Sequence, residues 1–172
     1  MKKNYIYVDT ETTGLHEDDE LLSISILDDQ DICLFDSLIR PVTKTSWTEA
    51  MQVNGISPDM VKNAPTYDQL KNHLSDLFIG KSVVAYNLAF DSSFLKEPLA
   101  HAKSKHCCML AYADFKKLPP SNNHYKYKLH KLVDAVKQCN PDFKFKSHNS
   151  LEDCKATRVV WHYILSHNQY NQ

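Results

Sequence analysis

The hydrophobic pattern begins with a short apolar run, Tyr5-Ile6-Tyr7-Val8, which reads as a buried strand. It leads directly into the polar stretch Asp9-Thr10-Glu11-Thr12-Thr13-Gly14. Two further apolar runs, Leu21–Leu27 and Ile32–Ile39, read as strands joined by the turn Asp28-Asp29-Gln30-Asp31. Three successive strands with short links predict an antiparallel meander.

The periodicity then changes. Leu70, Leu74, Leu77 and Phe78 recur at helical spacing, which predicts a helix over Tyr67–Phe78 with Pro65 in its first turn and Gly80 closing it. Ser82–Tyr86 reads as a buried strand, followed by a helix over about 92–103. Cys107–Leu110 reads as a further short strand, and Pro119–Asn123 as a loop. Leu129, Leu132, Val133 and Val136 predict a helix over 129–138. A last helix runs from Ser150 to Ser166, burying Leu151, Cys154, Thr157, Trp161, Ile164 and Leu165. The order predicts an α/β fold with one mixed sheet covered by helices.

Composition narrows the class. A chain of 172 residues, 42% hydrophobic and 24% charged, describes one globular domain with a sizeable core. No apolar run reaches the roughly 18 residues that span a bilayer, and no signal-peptide pattern opens the chain, so an intracellular, cytoplasmic protein without a membrane partner is expected. Five cysteines without framework spacing fit reduced thiols. His101, His106, Cys107 and Cys108 lie close together but lack a CxxC pair, which makes a zinc site a poor fit. Net charge is −1, which excludes a uniformly basic nucleic-acid coat. Lysines do gather between Lys116 and Lys146, where a solvated surface and a strand-binding patch are both open readings.

Candidate chemistry centres on acids. Residues two apart on a strand point to one side, so Asp9 and Glu11 project together if the strand continues through them. Carboxylates this close repel unless a cation lies between them, and hard divalent cations take such oxygen ligands. An exposed strand end facing water is the competing reading. Asp91 follows the strand at 82–86 near a helix start, where plain capping also accounts for it. His148 precedes Asp153 by five residues, at the start of the last helix, with Ser150 as a candidate cap.

In this order the motifs resemble the DnaQ-like, or DEDDh, family of 3′–5′ exonucleases. The residues that carry the likeness are Asp9-Thr10-Glu11-Thr12-Thr13-Gly14-Leu15, then Val84-Ala85-Tyr86-Asn87-Leu88-Ala89-Phe90-Asp91, then His148-Asn149-Ser150-Leu151-Glu152-Asp153. Two connectors, Val53-Asn54-Gly55-Ile56-Ser57 and Tyr127-Lys128-Leu129-His130-Lys131-Leu132, also fit, and the likeness extends from about Tyr5 to Leu165. The family often has His where this chain has Asn54 and Tyr86.

The resemblance implies a ribonuclease H-like mixed five-stranded sheet, three antiparallel strands and then parallel ones, flanked by helices. It implies that Asp9, Glu11, Asp91 and Asp153 hold two Mg²⁺ or Mn²⁺ ions and that His148 is the general base. Thr12, Thr13, Gly14, Leu15 and Asn87 are implied as contacts to the terminal nucleotide, although Leu15 could equally pack in the core. The implied substrate is nucleic acid with a free 3′ end, with single-stranded DNA favoured, and the product is a nucleoside 5′-monophosphate. An RNA-directed exonuclease is the alternative. So is a non-catalytic module that docks on a polymerase or another replication or repair partner.

Overall fold

The computed structural model describes residues 4–120 and 124–168. Five strands form one sheet: β1 (Tyr5–Thr12), β2 (Leu21–Asp28), β3 (Cys33–Leu38), β4 (Ser82–Ala85) and β5 (Ser104–Cys107). The sheet order is β3-β2-β1-β4-β5. β1, β2 and β3 pair antiparallel, and β4 and β5 add in parallel on the other side of β1. This is the mixed ribonuclease H-like sheet that the sequence leads one to expect.

β1 continues four residues beyond Val8. Its polar end is held in the ladder by rungs to β2, Asp9 opposite Ser25 and Glu11 opposite Ser23. Alternation then divides the strand between two cores. Ile6 and Val8 join Ile24, Ile26, Val83 and Ala85 on one face, covered by α3 (Tyr67–Phe78) and by α5 (Lys96–Ala100). Tyr5 and Tyr7 join Leu27 and Val84 on the other, covered by α6 (Cys108–Lys116), α7 (Leu132–Cys139) and α8 (Ser150–Asn168). A third cluster, Leu22, Trp47, Ile56 and Val61, seats the short helices α1 (Thr48–Asn54) and α2 (Pro58–Val61).

Several elements depart from the pattern-based expectation. Helices α1 and α2 have no long apolar stripe, and α1 buries no residue completely. They are tied down by Trp47, whose Nε1 donates to the Ile56 carbonyl at 2.7 Å, and α1 ends where Gly55 takes φ 75°. Pro65 lies outside α3, whose N-cap is Thr66. The helix expected over 92–103 begins earlier and breaks: α4 (Leu88–Phe94) stops at Leu95, and α5 starts anew. Pro98 explains the break. It has no N–H for the Phe94 carbonyl, and its ring would clash there in a continuous helix. The strand expected at 107–110 lies earlier, and Cys108–Leu110 instead opens α6. The helix expected from Leu129 starts at Leu132. Part of the 119–123 loop lies outside the described residues.

All five cysteines are free thiols. Among the described residues no helix is long and apolar enough to cross a membrane.

Candidate active site

The site is assembled at the end of β1 by three docking events. The first is β1 itself, which carries Asp9 and Glu11 on the same face as Tyr5 and Tyr7. The second is the parallel neighbour β4, whose exit leads through Tyr86 and Asn87 into α4 and places Asp91 in its first turn. Thr10, on the opposite face of β1, donates its hydroxyl to Asp91 Oδ1 at 2.9 Å. The third is α8. Its first residue, Ser150, shares hydrogen bonds with the hydroxyls of Ser23 (2.8 Å) and Ser25 (2.7 Å), the β2 residues opposite Glu11 and Asp9. Asp153, one turn later, is thereby set beside the acids of β1. Ser150 is thus an anchor, and Asn149 does the capping: its side-chain oxygen accepts the Glu152 N–H at 3.1 Å.

His148 precedes this turn with φ 61°, a conformation that non-glycine residues seldom adopt. Its backbone N–H bonds to Asp153 Oδ2 at 2.9 Å, which fixes the loop against the carboxylate it borders. Glu11, His148 and Asp153 can each offer a ligand atom, all within 4.8 Å of one another. The structure therefore brings Asp9, Glu11, Asp91, His148 and Asp153 to one place. They line a cleft of about 1040 Å³ together with Thr12, Thr13, Gly14, Leu15 and Asn87.

The electrostatics are lopsided. Burial, followed by the charges of Asp91, Asp153 and Glu11, pushes the Asp9 carboxyl well above the carboxylate range. Burial and then Asp153 and Asp91 raise Glu11 to about 8. Burial raises Asp91 to about 7 against the opposing pull of the Thr10 hydrogen bond. Burial raises Asp153 to about 6 against the bond from the His148 N–H. Among the described residues, none of the four forms an ion pair with a lysine or arginine. Asp153 Oδ1 is buried with no hydrogen-bond partner among them. Acids collected in this way, with an oxygen left unsatisfied, are fitted to a divalent cation, which would restore ionisation and supply the missing partner.

The loop after β1 is braced internally. Thr12 Oγ1 donates to the Gly14 carbonyl at 2.6 Å. Thr13 Oγ1 donates to Asp19 Oδ1 at 2.8 Å and accepts the Glu20 N–H. Gly14 has no room for a side chain, since a Cβ there would collide with the Asp19 carboxylate. Leu15 is 82% exposed on the rim, so the core-packing reading of it fails.

Four contributions escaped the sequence reading: those of Thr10, Ser23 and Ser25, and the bond from Asn54 Nδ2 to the Thr12 carbonyl at 3.2 Å. The serines did leave a signal. In Leu21-Leu22-Ser23-Ile24-Ser25-Ile26 two hydroxyls recur with period two inside an apolar strand, which marks a polar stripe on one buried face.

A ribonuclease H-like sheet with acids from β1, α4 and α8 gathered at one end defines a nuclease-type centre. A family model described as exonuclease, of the ribonuclease T type, matches residues 6–160, and the chain belongs to this DnaQ-like exonuclease family. It is an exonuclease enzyme. It is 30% identical over 170 residues to an uncharacterized exonuclease of Escherichia phage 186, covering 91% of this chain and 86% of that one. It is 30% identical to RNA exonuclease 4 of Candida glabrata and 30% identical to the DNA polymerase III subunit epsilon of Treponema pallidum. Those matches cover 91% and 73% of this chain but only 58% and 61% of the relatives. In fold it is similar to E. coli exonuclease I in complex with a dA16 oligonucleotide (TM-score 0.78, 15% identity, 99% of this chain and 42% of that one). It is also similar to exonuclease X in complex with 5′ overhanging duplex DNA (TM-score 0.72, 21% identity, 96% and 93%).

Proposed function

We propose that residues 1–172 form a single metal-dependent 3′–5′ exonuclease domain that releases nucleoside 5′-monophosphates, with DNA as the preferred substrate. The observation that carries this reading is the acid cluster: four carboxyls raised by burial and mutual repulsion, with one buried oxygen left unpartnered. Asp9, Glu11, Asp91 and Asp153 would hold two Mg²⁺ or Mn²⁺ ions. When bound, such ions neutralise the acids, make water more acidic and stabilise charge on the attacking and leaving oxygens of a phosphodiester. His148 is exposed at the cleft edge, where its imidazole takes the proton of the attacking water. Its backbone bond to Asp153 keeps base and carboxylate in register. Leu15, on the rim, and Asn87, exposed at the start of α4, contact the terminal nucleotide, and the braced Thr12–Gly14 loop presents its backbone to it.

Exonuclease I and exonuclease X, each carrying DNA, support the DNA preference. RNA exonuclease 4 favours a second reading, an exoribonuclease built on the same site. The likeness to a polymerase subunit supports a polymerase or another replication or repair protein as partner. The test is hydrolysis of 5′-labelled deoxy- and ribo-oligonucleotides with Mg²⁺ or Mn²⁺. A ladder of shortened products is expected from the wild type and none from Asp9→Ala. Identical behaviour of the two proteins would sink the reading, and the faster of the two substrates settles DNA against RNA.

A further inference from the structure

The segments that line the cleft fall into two groups of opposite charge. Leu15 and Asp19 come from the β1–β2 loop and Glu49 from α1, while Lys131 and Val133 come from the start of α7 and His148 from the segment before α8. The segments behind them extend the contrast. From Lys116 to Val133 the sequence has five lysines and no carboxylate, and Lys144 and Lys146 follow in 143–148, again without one. In the β1–β2 loop, residues 17–20 are four successive acids, of which Asp19 lines the cleft, with Lys44 pairing Asp18 at 2.6 Å and Asp19 at 3.6 Å. Glu49 is exposed.

The lysine segment is in electrical contact with the cleft. Besides burial, Lys128 and Lys116 disfavour the protonated form of His130, which lines the cleft. Lys128 is held in place by its N–H, which bonds to the Leu118 carbonyl at 3.0 Å and closes the connection between α6 and α7. Such a rim suits a phosphate backbone, which is bound through charge and independently of sequence. The acidic rim suits the opposite role, since a second anionic strand lying across it would be repelled.

We propose that the lysine rim, built on Lys116, Lys128 and Lys131, is a track for the phosphodiester backbone of a single strand whose 3′ end lies among the carboxylates. The Glu49 rim excludes the complementary strand. This inference rests on the nuclease reading for the identity of its ligand, and it defines how the strand approaches.

Binding is the readout, so the test stands apart from turnover. A fluorescein-labelled oligo-dT or oligo-U of about 20 nucleotides, long enough to cover the track, is titrated by anisotropy with Ca²⁺ in place of Mg²⁺. The triple variant Lys116→Glu/Lys128→Glu/Lys131→Glu should bind about tenfold or more weakly, with a slope of log K against log salt shallower by about 2. The control Lys62→Glu/Lys103→Glu/Lys105→Glu changes as many charges away from the cleft and should bind as the wild type does. Both backbones should respond alike, because the phosphates are common to them. Equal loss in the control, an unchanged salt slope, or loss on one backbone alone would overturn the track. Glu49→Lys should raise affinity for a blunt duplex relative to the single strand, and an unchanged ratio would overturn the exclusion role. Nuclease activity could fail while this charge pattern held, or the reverse, so the two readings can be refuted separately.

Discussion

The two faces of β1 start out alike and serve opposite ends. On one, Ile6 and Val8 are completely buried and are continued by Thr10, whose hydroxyl donates to Asp91, and by Thr12, whose hydroxyl is satisfied within its own loop. On the other, Tyr5 and Tyr7 give way to Asp9 and Glu11, acids that burial keeps from ionising easily. The first face carries no charged group and meets the acid cluster only through the Thr10 hydroxyl. The second changes character halfway, from buried rings to the acids proposed to hold cations. On the proposed function, a bound cation would offset the cost these acids impose on the empty protein.

The largest effect should come from the reactive face. Asp9→Ala should lower exonuclease rate by at least about a thousandfold, as removal of a residue that acts as part of a unit does. It should leave the cation-free fold as stable as the wild type or more so, since repulsion is relieved. A Tm that fell in EDTA as sharply as activity would make Asp9 a packing residue and erase the contrast. On the apolar face, Leu74→Ala should cost about 2–5 kcal/mol by leaving a cavity under the sheet. In urea unfolding its midpoint should fall, while kcat of the surviving folded protein stays near the wild-type value. A kcat loss at full folding would show that the faces are coupled.

How much of this was legible in sequence differs between the two regions. Four of the five strands could be read because their apolar runs are bounded by polar turns, whereas β5 (Ser104–Cys107) has no apolar run and the strand was expected on the residues that open α6. The end of β1 was left open, because Asp9 and Glu11 are depleted in strands while Thr10 and Thr12 favour them, and the rungs to β2 decide it. Asp9, Glu11, Asp91, His148 and Asp153 were found only through their order along the chain. Each alone was compatible with capping or solvent exposure, and the helix docking that unites them depends on Ser23, Ser25 and Ser150, a contact across 125 residues or more. Helices α1 and α6 went unread for local reasons. The first has no apolar stripe, and the second opens with the apolar Cys108-Met109-Leu110, which suits strand and helix alike.

A smaller effect concerns pH. Glu11, Asp91 and Asp153 titrate near 8, 7 and 6 in the fold, above the carboxylate range of the unfolded chain. The folded state therefore holds more protons. The stabilisation from these groups is full below about pH 4, declines as pH rises above it, and is gone once pH passes about 8. In EDTA, this part of the stability should decline over that window, and Mg²⁺ or Mn²⁺ should remove the decline. Scanning calorimetry with and without cation measures it. A wild-type decline matched in Asp9→Ala/Glu11→Gln/Asp91→Asn/Asp153→Asn would assign it to groups elsewhere.

The smallest effect tests how rigidly the reactive face is held from outside. Asn54 closes α1, donates Nδ2 to the Thr12 carbonyl at 3.2 Å and accepts the Ile56 N–H at 3.0 Å. Thr12 follows Glu11 directly, at the point where the β1–β2 register shifts. The latch thus holds the one place where this ladder is irregular. Asn54→Ala removes one modest and one ordinary hydrogen bond, worth together about 1–2 kcal/mol. For a chain of this size that corresponds to a fall of about 2–8 °C in Tm. Because Glu11 keeps its rung to Ser23, activity should drop severalfold, far less than in Asp9→Ala. A loss as deep as that of the acid variant would place Asn54 within the reactive machinery. An unchanged rate with a lowered Tm would confine it to the scaffold and show that the β2 rungs alone hold the reactive end of β1.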